Sequence, residues 1–294
     1  MKTKIKYCSL STIIALFLTV SYCAAQDQTD SLTYYIETTD GNTFTGIILA
    51  KDSVKILFTA DKYGEMDILI SDIKEMHPLD INKLKGDEYW YDNLQSTRYF
   101  FSPNGYGLKQ GEGYYQNVLV LVNSFAVGLT DHIAIGGGVV PLFLFAGSPT
   151  PVWFTPKLSI PISKDKVNLG AGALIGTVLG EDNTGFGILY GITTLGSRDK
   201  NISLGLGYGY AGGDWTQSPL INLNTMLRIG QRGYFISENY YIQTASETAV
   251  ILSFGGRSII KKAGLDYGLI IPIIGGMDQF LALPWLGITI PFGN

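Results

Sequence analysis

Thiols, histidines and charge are what this 294-residue chain has least of: two Cys, two His, and 16% charged residues against the roughly 25% of an ordinary globular chain. Cys8 and Cys23 both lie in the first 25 residues, which excludes a disulfide scaffold and leaves no cysteine for a structural zinc site. His77 precedes Pro78 and reads as a surface residue, and His132 beside Asp131 reads as a turn pair. No spacing offers three or four metal ligands, so neither a metal nor another cofactor is expected. After the N-terminus every apolar run is cut short by Gly, Pro, Asn or charge. A multi-span helical membrane protein, which needs repeated runs of about 18 residues, is therefore excluded.

What is abundant is glycine and aromatics: 36 Gly, 18 Tyr and 14 Phe, with 46% hydrophobic residues and a mean hydropathy of +0.19. Such a chain is neither disordered nor collagenous, and it reads as all-β. Lys2, Lys4 and Lys6, the apolar stretch Ile13 to Val20 and Ala24-Ala25 before Gln26 form an export signal over 1–25. Tyr22 stands where a lipid-attachment signal needs a small residue, so Cys23 is not a lipoprotein anchor. Cleavage lowers Lys+Arg from 21 to 18 against 25 acids and moves the formal net charge from −4 to −7. An exported acidic chain excludes nucleic acid as a partner.

Residues 31–78 read as a small separate module. Leu32 to Glu37, Thr43 to Ala50, Val54 to Thr59 and Glu65 to Ile70 make strands, with turns at Asp40-Gly41-Asn42 and Lys51-Asp52-Ser53 and a close at Ser71 to Glu75. The order "IETTDGNTFTGIILAKDSVKILF" then "GEMDILISDIKEM" resembles the Sm-like or SH3-like small barrels, with Gly46 where those barrels bend. The resemblance implies a periplasmic docking or spacer module, since the RNA-binding residues of Sm proteins are absent. Residues 79–95 form a polar and aromatic linker.

The remainder, 96–294, carries the glycine excess, because only Gly41, Gly46, Gly64 and Gly86 precede Thr97. Its segments alternate with period two. Ile202, Leu204, Leu206, Tyr208 and Tyr210 oppose Ser203, Gly205, Gly207 and Gly209, and similar patterns run through 152–162, 167–176 and 221–229. A soluble sandwich would carry one charged face. Here the second face is Gly, Ser, Asn or a single cation, which fits a transmembrane antiparallel β-barrel with bulky residues to lipid and small ones to a lumen. The glycine series are barrel-wall positions, not phosphate loops, since no helix follows them.

Turn signals give about twelve strands: Thr97–Leu108, Tyr114–Leu129, His132–Ala146, Val152–Ile162, Val167–Leu179, Phe186–Leu195, Ile202–Ala211, Leu220–Ile229, Tyr234–Gln243, Ala249–Ile260, Leu265–Ile274 and Phe280–Phe292. An even count puts both ends of the barrel on the periplasmic side. Turns there carry Asp131, His132, Lys164, Lys166, Arg198, Lys200, Arg232, Lys261 and Lys262; outer loops carry Lys109, Glu112, Glu181, Asp182, Asp214, Glu247 and Asp278. Trp153, Trp215, Tyr234, Tyr240 and Trp285 fit interfacial girdles. The segments "STRYFFSPNGYGLKQGEGYYQN", "VVPLFLFAGSPTPVWFTPKLSIPI" and "LPWLGITIPFG" resemble a group of bacterial outer-membrane barrel proteins. That resemblance implies a location in outer-membrane lipid and, through Phe292 near the C-terminus, delivery by the insertion machinery; it implies no activity.

The lumen-lining candidates are Arg98, Lys157, Arg228 and Arg257, with Asp266 on the matching face of its strand; the phase of Glu238 is ambiguous. Buried cations must be paired or hydrated. They make either an electropositive constriction for anions or an ion-pair network bracing the wall, and the filled interiors of small barrels favour the network. Two functions follow. One is a narrow pore or transporter for small anionic solutes; the other is a non-enzymatic scaffold whose module docks a periplasmic protein. A lipid-modifying enzyme would need His132 with Ser124 and is the remotest reading.

Overall fold

The computed structural model describes residues 32–80, 83–85, 88–244, 247–275 and 279–293. The export signal, Ser31 and Asp278 lie outside the described residues. The chain divides into two compact units, Met1–Tyr89 and Trp90–Asn294.

In the first unit, β1 (Thr33–Thr38), β2 (Thr43–Lys51), β3 (Lys55–Ala60), β4 (Gly64–Leu69) and β5 (Ile73–Pro78) form an antiparallel sheet in the order β4-β3-β2-β1-β5. Period-two alternation turns Ile56, Phe58 and Ala60 of β3 inward against Ile36 and Ile68. Gly46 sits opposite Ala60, and a Cβ there would overlap the Thr59 carbonyl, so β2 passes β3 at a separation only glycine permits. A two-residue pair, β6 (Leu84–Lys85) and β7 (Glu88–Tyr89), ends the unit.

The second unit contains β8 (Gly113–Val118), β9 (Val122–Gly128), β10 (Ile133–Val139), α1 (Pro141–Phe145), β11 (Thr150–Phe154), β12 (Lys157–Ser163) and β13 (Val167–Leu179). It continues through β14 (Phe186–Gly196), β15 (Lys200–Ala211), β16 (Asp214–Trp215), β17 (Leu220–Arg228), β18 (Gly233–Gln243), β19 (Thr248–Ile260), β20 (Ala263–Ile274) and β21 (Leu283–Phe292). Neighbours pair antiparallel, and the pairings of β21 with β8 and of β9 with β10 close the ring. β11 and β12 both run along β13 and are halves of one stave interrupted at Thr155-Pro156, where proline has no N–H for the ladder. β16 only folds back onto β15. The ring thus has twelve staves.

The number twelve matches the sequence expectation, but two of the staves differ from it. Thr97–Leu108 is not a wall strand; its one bridge, Arg98 with Pro103, is internal to the segment. Tyr114–Leu129 is two staves, β8 and β9, joined at Leu119-Val120, whose φ values are 52° and 64°. The 79–95 linker also ends early, since Asn93 and Gln95 are buried within the second unit.

Facing follows the predicted parity. Leu204 and Leu206 are each 52% exposed, whereas Ser203, Gly205 and Gly207 are buried. Leu189, Leu223, Leu252, Leu269 and Leu286 extend the outer apolar surface around the ring. A closed ring leaves no unpaired edge, and its greasy exterior is the surface a bilayer solvates. The aromatic girdle is corrected: Tyr234 is buried, Trp285 packs on Phe100, and Trp153 lies over Gly138, all inside the ring. Tyr240 hydrogen-bonds inward-facing Glu238, and Trp215 alone of the five is largely exposed. These four share the inward parity of the small residues, which the girdle assignment overlooked.

The ring has a near end, where Gly113 pairs with Phe292, and a far end. Lys109 and Glu112 immediately precede β8 and therefore lie at the near end, not in an outer loop; Gly111 N–H donates to Gly128 O at 3.0 Å there. With that correction the far-end connections (119–121, 140–149, 180–185, 212–219, 244–247 and 275–282) contain no Lys, Arg or His, while Lys164, Lys166, Arg198, Arg232, Lys261 and Lys262 sit at the near end.

Candidate functional site

The site is the lumen, which has two unlike halves. The near half is filled by the segment 93–108, folded back on itself by Asn104 N–H to Thr97 O (3.1 Å) and Asn104 Nδ2 to Ser96 O (2.7 Å). Tyr99 and Phe100 are fully buried. Tyr99 Oη reaches Asn201 and Ser203 of β15; Ser102 Oγ accepts from Asn222 and Asn224 of β17; Gly105 N–H donates to Thr194 of β14 at 2.7 Å. The polar, small-residue face that the periodicity predicts is here matched group by group to the backbone of the inserted segment. Glycine permits the fit: a Cβ at Gly105 would overlap Asn168 O, and one at Gly264 would overlap Gln95.

Three of the predicted lumen residues meet in one cluster. Arg257 Nε donates to Asp266 Oδ1 at 2.5 Å and its Nη2 to Oδ2 at 3.0 Å, while Arg98 Nη1 reaches the same Oδ2 at 3.0 Å. The guanidinium groups also bind segment carbonyls: Arg98 to Tyr99 O and Phe100 O (both 2.8 Å), Arg257 to Gln95 O (2.9 Å) and Tyr99 O (2.5 Å). Exposures of 1%, 0% and 0% for Arg98, Arg257 and Asp266 leave no surface for a passing solute. In this arrangement the cluster clamps the segment and is not a constriction. Arg98 belongs to the segment and not to a stave, a correction that follows from Thr97–Leu108 lying inside the ring.

The other two candidates are elsewhere. Arg228 binds Asp199 at 2.8 Å and stacks over Trp90 (4.7 Å) and Tyr234 (5.3 Å) at the near rim. Lys157 Nζ donates to Tyr106 O at 2.6 Å and Thr97 O at 3.4 Å. Glu238, ambiguous by periodicity, faces inward and accepts from Phe101 N–H (3.0 Å), Ser102 N–H (3.1 Å) and Tyr240 Oη (2.7 Å). Arg198, assigned to a turn by sequence, also holds the segment through Ser96 Oγ (2.6 Å) and Gly107 O (3.1 Å). Its position next to Tyr106, 4.8 Å below the guanidinium, carries no local sequence signal.

The far half holds a cavity of about 270 Å³, floored by Phe101, Ser102 and Pro103 of the segment. Its walls include Trp153, Leu174, Ile188, Tyr190, Leu220 and Tyr240, and Lys157 is the one charged residue that lines it.

No family model matches the chain, and no curated protein matches it in sequence. Among solved structures it is similar to the KdgM porin, with a TM-score of 0.46 and 7% identity over 62% of this chain and 99% of that one. It is likewise similar to the KdgM porin in complex with disordered oligogalacturonate, with a TM-score of 0.45 and 7% identity over 62% and 98% of the two chains.

Proposed function

We propose that the chain is a narrow, non-enzymatic outer-membrane pore for small anionic solutes, stoppered in this state by its own segment 93–108. The observation that carries this reading is the construction of the ring: twelve staves close without the segment, which contributes no stave. Displacing the segment leaves the wall intact. It also leaves Lys157, Arg198, Arg228 and Arg257 against Asp199, Asp266 and Glu238, a cationic excess of one that favours anions. The near end is then periplasmic, and the acidic far end is outside. The export signal, outer-membrane lipid and the insertion machinery that takes Phe292 belong to the same reading.

The test is planar-bilayer conductance of the full chain and of a variant with 96–106 replaced by a Gly/Ser linker of equal length. The variant is expected to conduct more, with a reversal potential that favours chloride in a KCl gradient. Conductance no higher than the empty bilayer from both proteins overturns the pore. A second reading draws on the tight fill of the near half by Tyr99 and Phe100: a closed barrel that anchors the Sm-like periplasmic module to a partner protein. Cross-linking that recovers no partner dependent on residues 31–78 counts against it.

A further inference from the structure

We infer that the far half of the lumen is a binding site for a monocarboxylate with an apolar body, its carboxylate seated on Lys157. This assignment deepens the pore reading by naming a solute class and rests on it only for the solute being passed on. Three observations converge.

The first is the lining. Among the described residues, the inward positions of the far half carry no charge: Trp153, Leu174, Ile188, Tyr190, Leu220 and Tyr240 present apolar bodies, with glycines between them. The charged groups of the interior all lie in the near half or at the floor. Ser102, Gln116, Ser124, Thr155 and Asn222 add neutral polar groups, but a polyanion would find a single cation there, whereas one charge on an alkyl chain or a ring matches both the cation and the apolar walls. The volume, about 270 Å³, lies just under the roughly 300 Å³ at which pockets begin to hold drug-sized ligands.

The second is Lys157. An ammonium has three donors, and the two acceptors of Lys157 are backbone carbonyls, with no carboxylate in ion-pair contact among the described residues. Every other cation bound to the inserted segment from the ring has a counter-ion or an aromatic face: Arg257 has Asp266 and Arg198 has Tyr106. A cation without a counter-ion at the edge of an apolar cavity is the place where a single negative charge gains most.

The third is the wall beside the cavity. β8, β9 and β10 have six, seven and seven residues, short of the 9–11 that a tilted strand needs to cross the hydrocarbon. β20 runs on for eight residues beyond Asp266, yet the β8 end at Val118 pairs only with Gly287, the β21 partner of Asp266. The tip of that hairpin is Leu119-Val120-Leu121, with Val120 83% exposed, and the chain after β10 is the apolar α1, with Phe145 85% exposed. The ring is therefore low on the side where Gln116, Ser124 and Ala126 line the cavity, and an amphiphile in the outer leaflet has the shortest way in there.

The experiment uses the full chain in nanodiscs, with empty nanodiscs subtracted, and titrates octanoate, octanol and acetate calorimetrically. Octanoate is expected to bind at least tenfold more tightly than acetate, which has the charge without the body. Lys157→Met is expected to weaken octanoate tenfold or more and to leave octanol unchanged; Ile188→Trp, which fills the cavity, is expected to abolish both. Octanoate bound no better than acetate by the unaltered protein overturns the inference without any variant, and so does a folded Lys157→Met protein, shown by heat-modifiable gel mobility, that binds octanoate as before. Binding without conductance would keep this site and fail the pore, so the two readings fall separately.

Discussion

Asp266 holds two guanidinium groups in a fully buried place, and its removal leaves both without a counter-charge. Breaking a buried pair by deleting one partner costs about 3–5 kcal/mol. Asp266→Asn keeps the shape and is expected to lower the unfolding free energy of the detergent-solubilised barrel by that amount, read from the fall in its denaturant midpoint. The double variant Arg98→Met/Asp266→Asn is expected to lose less than the sum of its singles, because the two groups share one network; additive losses would show that Arg98 gains nothing from Asp266. Glycines separate in the same way. A Cβ at Gly205 would overlap Asn222 Oδ1, while one at Gly191, on the outer face, meets nothing within 4 Å. Gly205→Val is expected to cost about 1–3 kcal/mol through overpacking, whereas Gly191→Ala is expected to stay within about 0.5 kcal/mol. The alternation of Leu204, Gly205 and Leu206 makes the wall legible from sequence, but which glycine is indispensable depends on what crosses the lumen opposite it.

Elements were readable where their ends carried turn chemistry and misread where they did not. Lys164-Asp165-Lys166 and Lys261-Lys262 punctuate the staves on either side, and β13 through β20, apart from the two-residue β16, begin and end within a residue or two of the periodic segments. Val118-Leu119-Val120-Leu121-Val122 has no Gly, Asn or Pro and continues the apolar pattern, so β8 and β9 read as one strand although the chain reverses there. That turn holds two β-branched or γ-branched residues at positive φ, a conformation that costs roughly 1–2 kcal/mol per residue. Val120→Gly is expected to raise the unfolding free energy by about 1 kcal/mol; an unchanged or lower midpoint would mean that contact of the tip with lipid outweighs the relief. The segment 97–108 was misread for the complementary reason. Tyr99, Phe100 and Phe101 among Ser, Asn and Gly have the composition of a barrel strand, and nothing local tells a residue that faces a lumen from one that fills it. Only the pairing of β21 with β8 shows that the wall is complete without it.

At the scale of the whole molecule, moving Lys109 and Glu112 to the near end turns an uneven charge distribution into a sorted one. Among the described residues the far-end connections hold Glu181, Asp182, Asp214 and Glu247 with no cation, and Lys109, Lys164, Lys166, Arg198, Arg232, Lys261 and Lys262 lie at the near end. A chain that enters the membrane with its near end periplasmic places the acidic rim at the cell surface, and single cysteines test that directly. Cys8 and Cys23 are the only thiols in the sequence, and both precede Gln26, so a protein with its export signal removed offers no background. On intact cells, Asp182→Cys is expected to react with a membrane-impermeant maleimide, and Asp165→Cys to react only after the outer membrane is permeabilised. Both positions follow tight turns at positive φ, Gly180 at 91° and Asp165 itself at 55°, and both are exposed, so labelling reads accessibility and not folding. Labelling of Asp165→Cys but not Asp182→Cys on intact cells would invert the barrel. The apolar cavity would then open toward the periplasm, and the short staves β8 to β10 would face the inner leaflet.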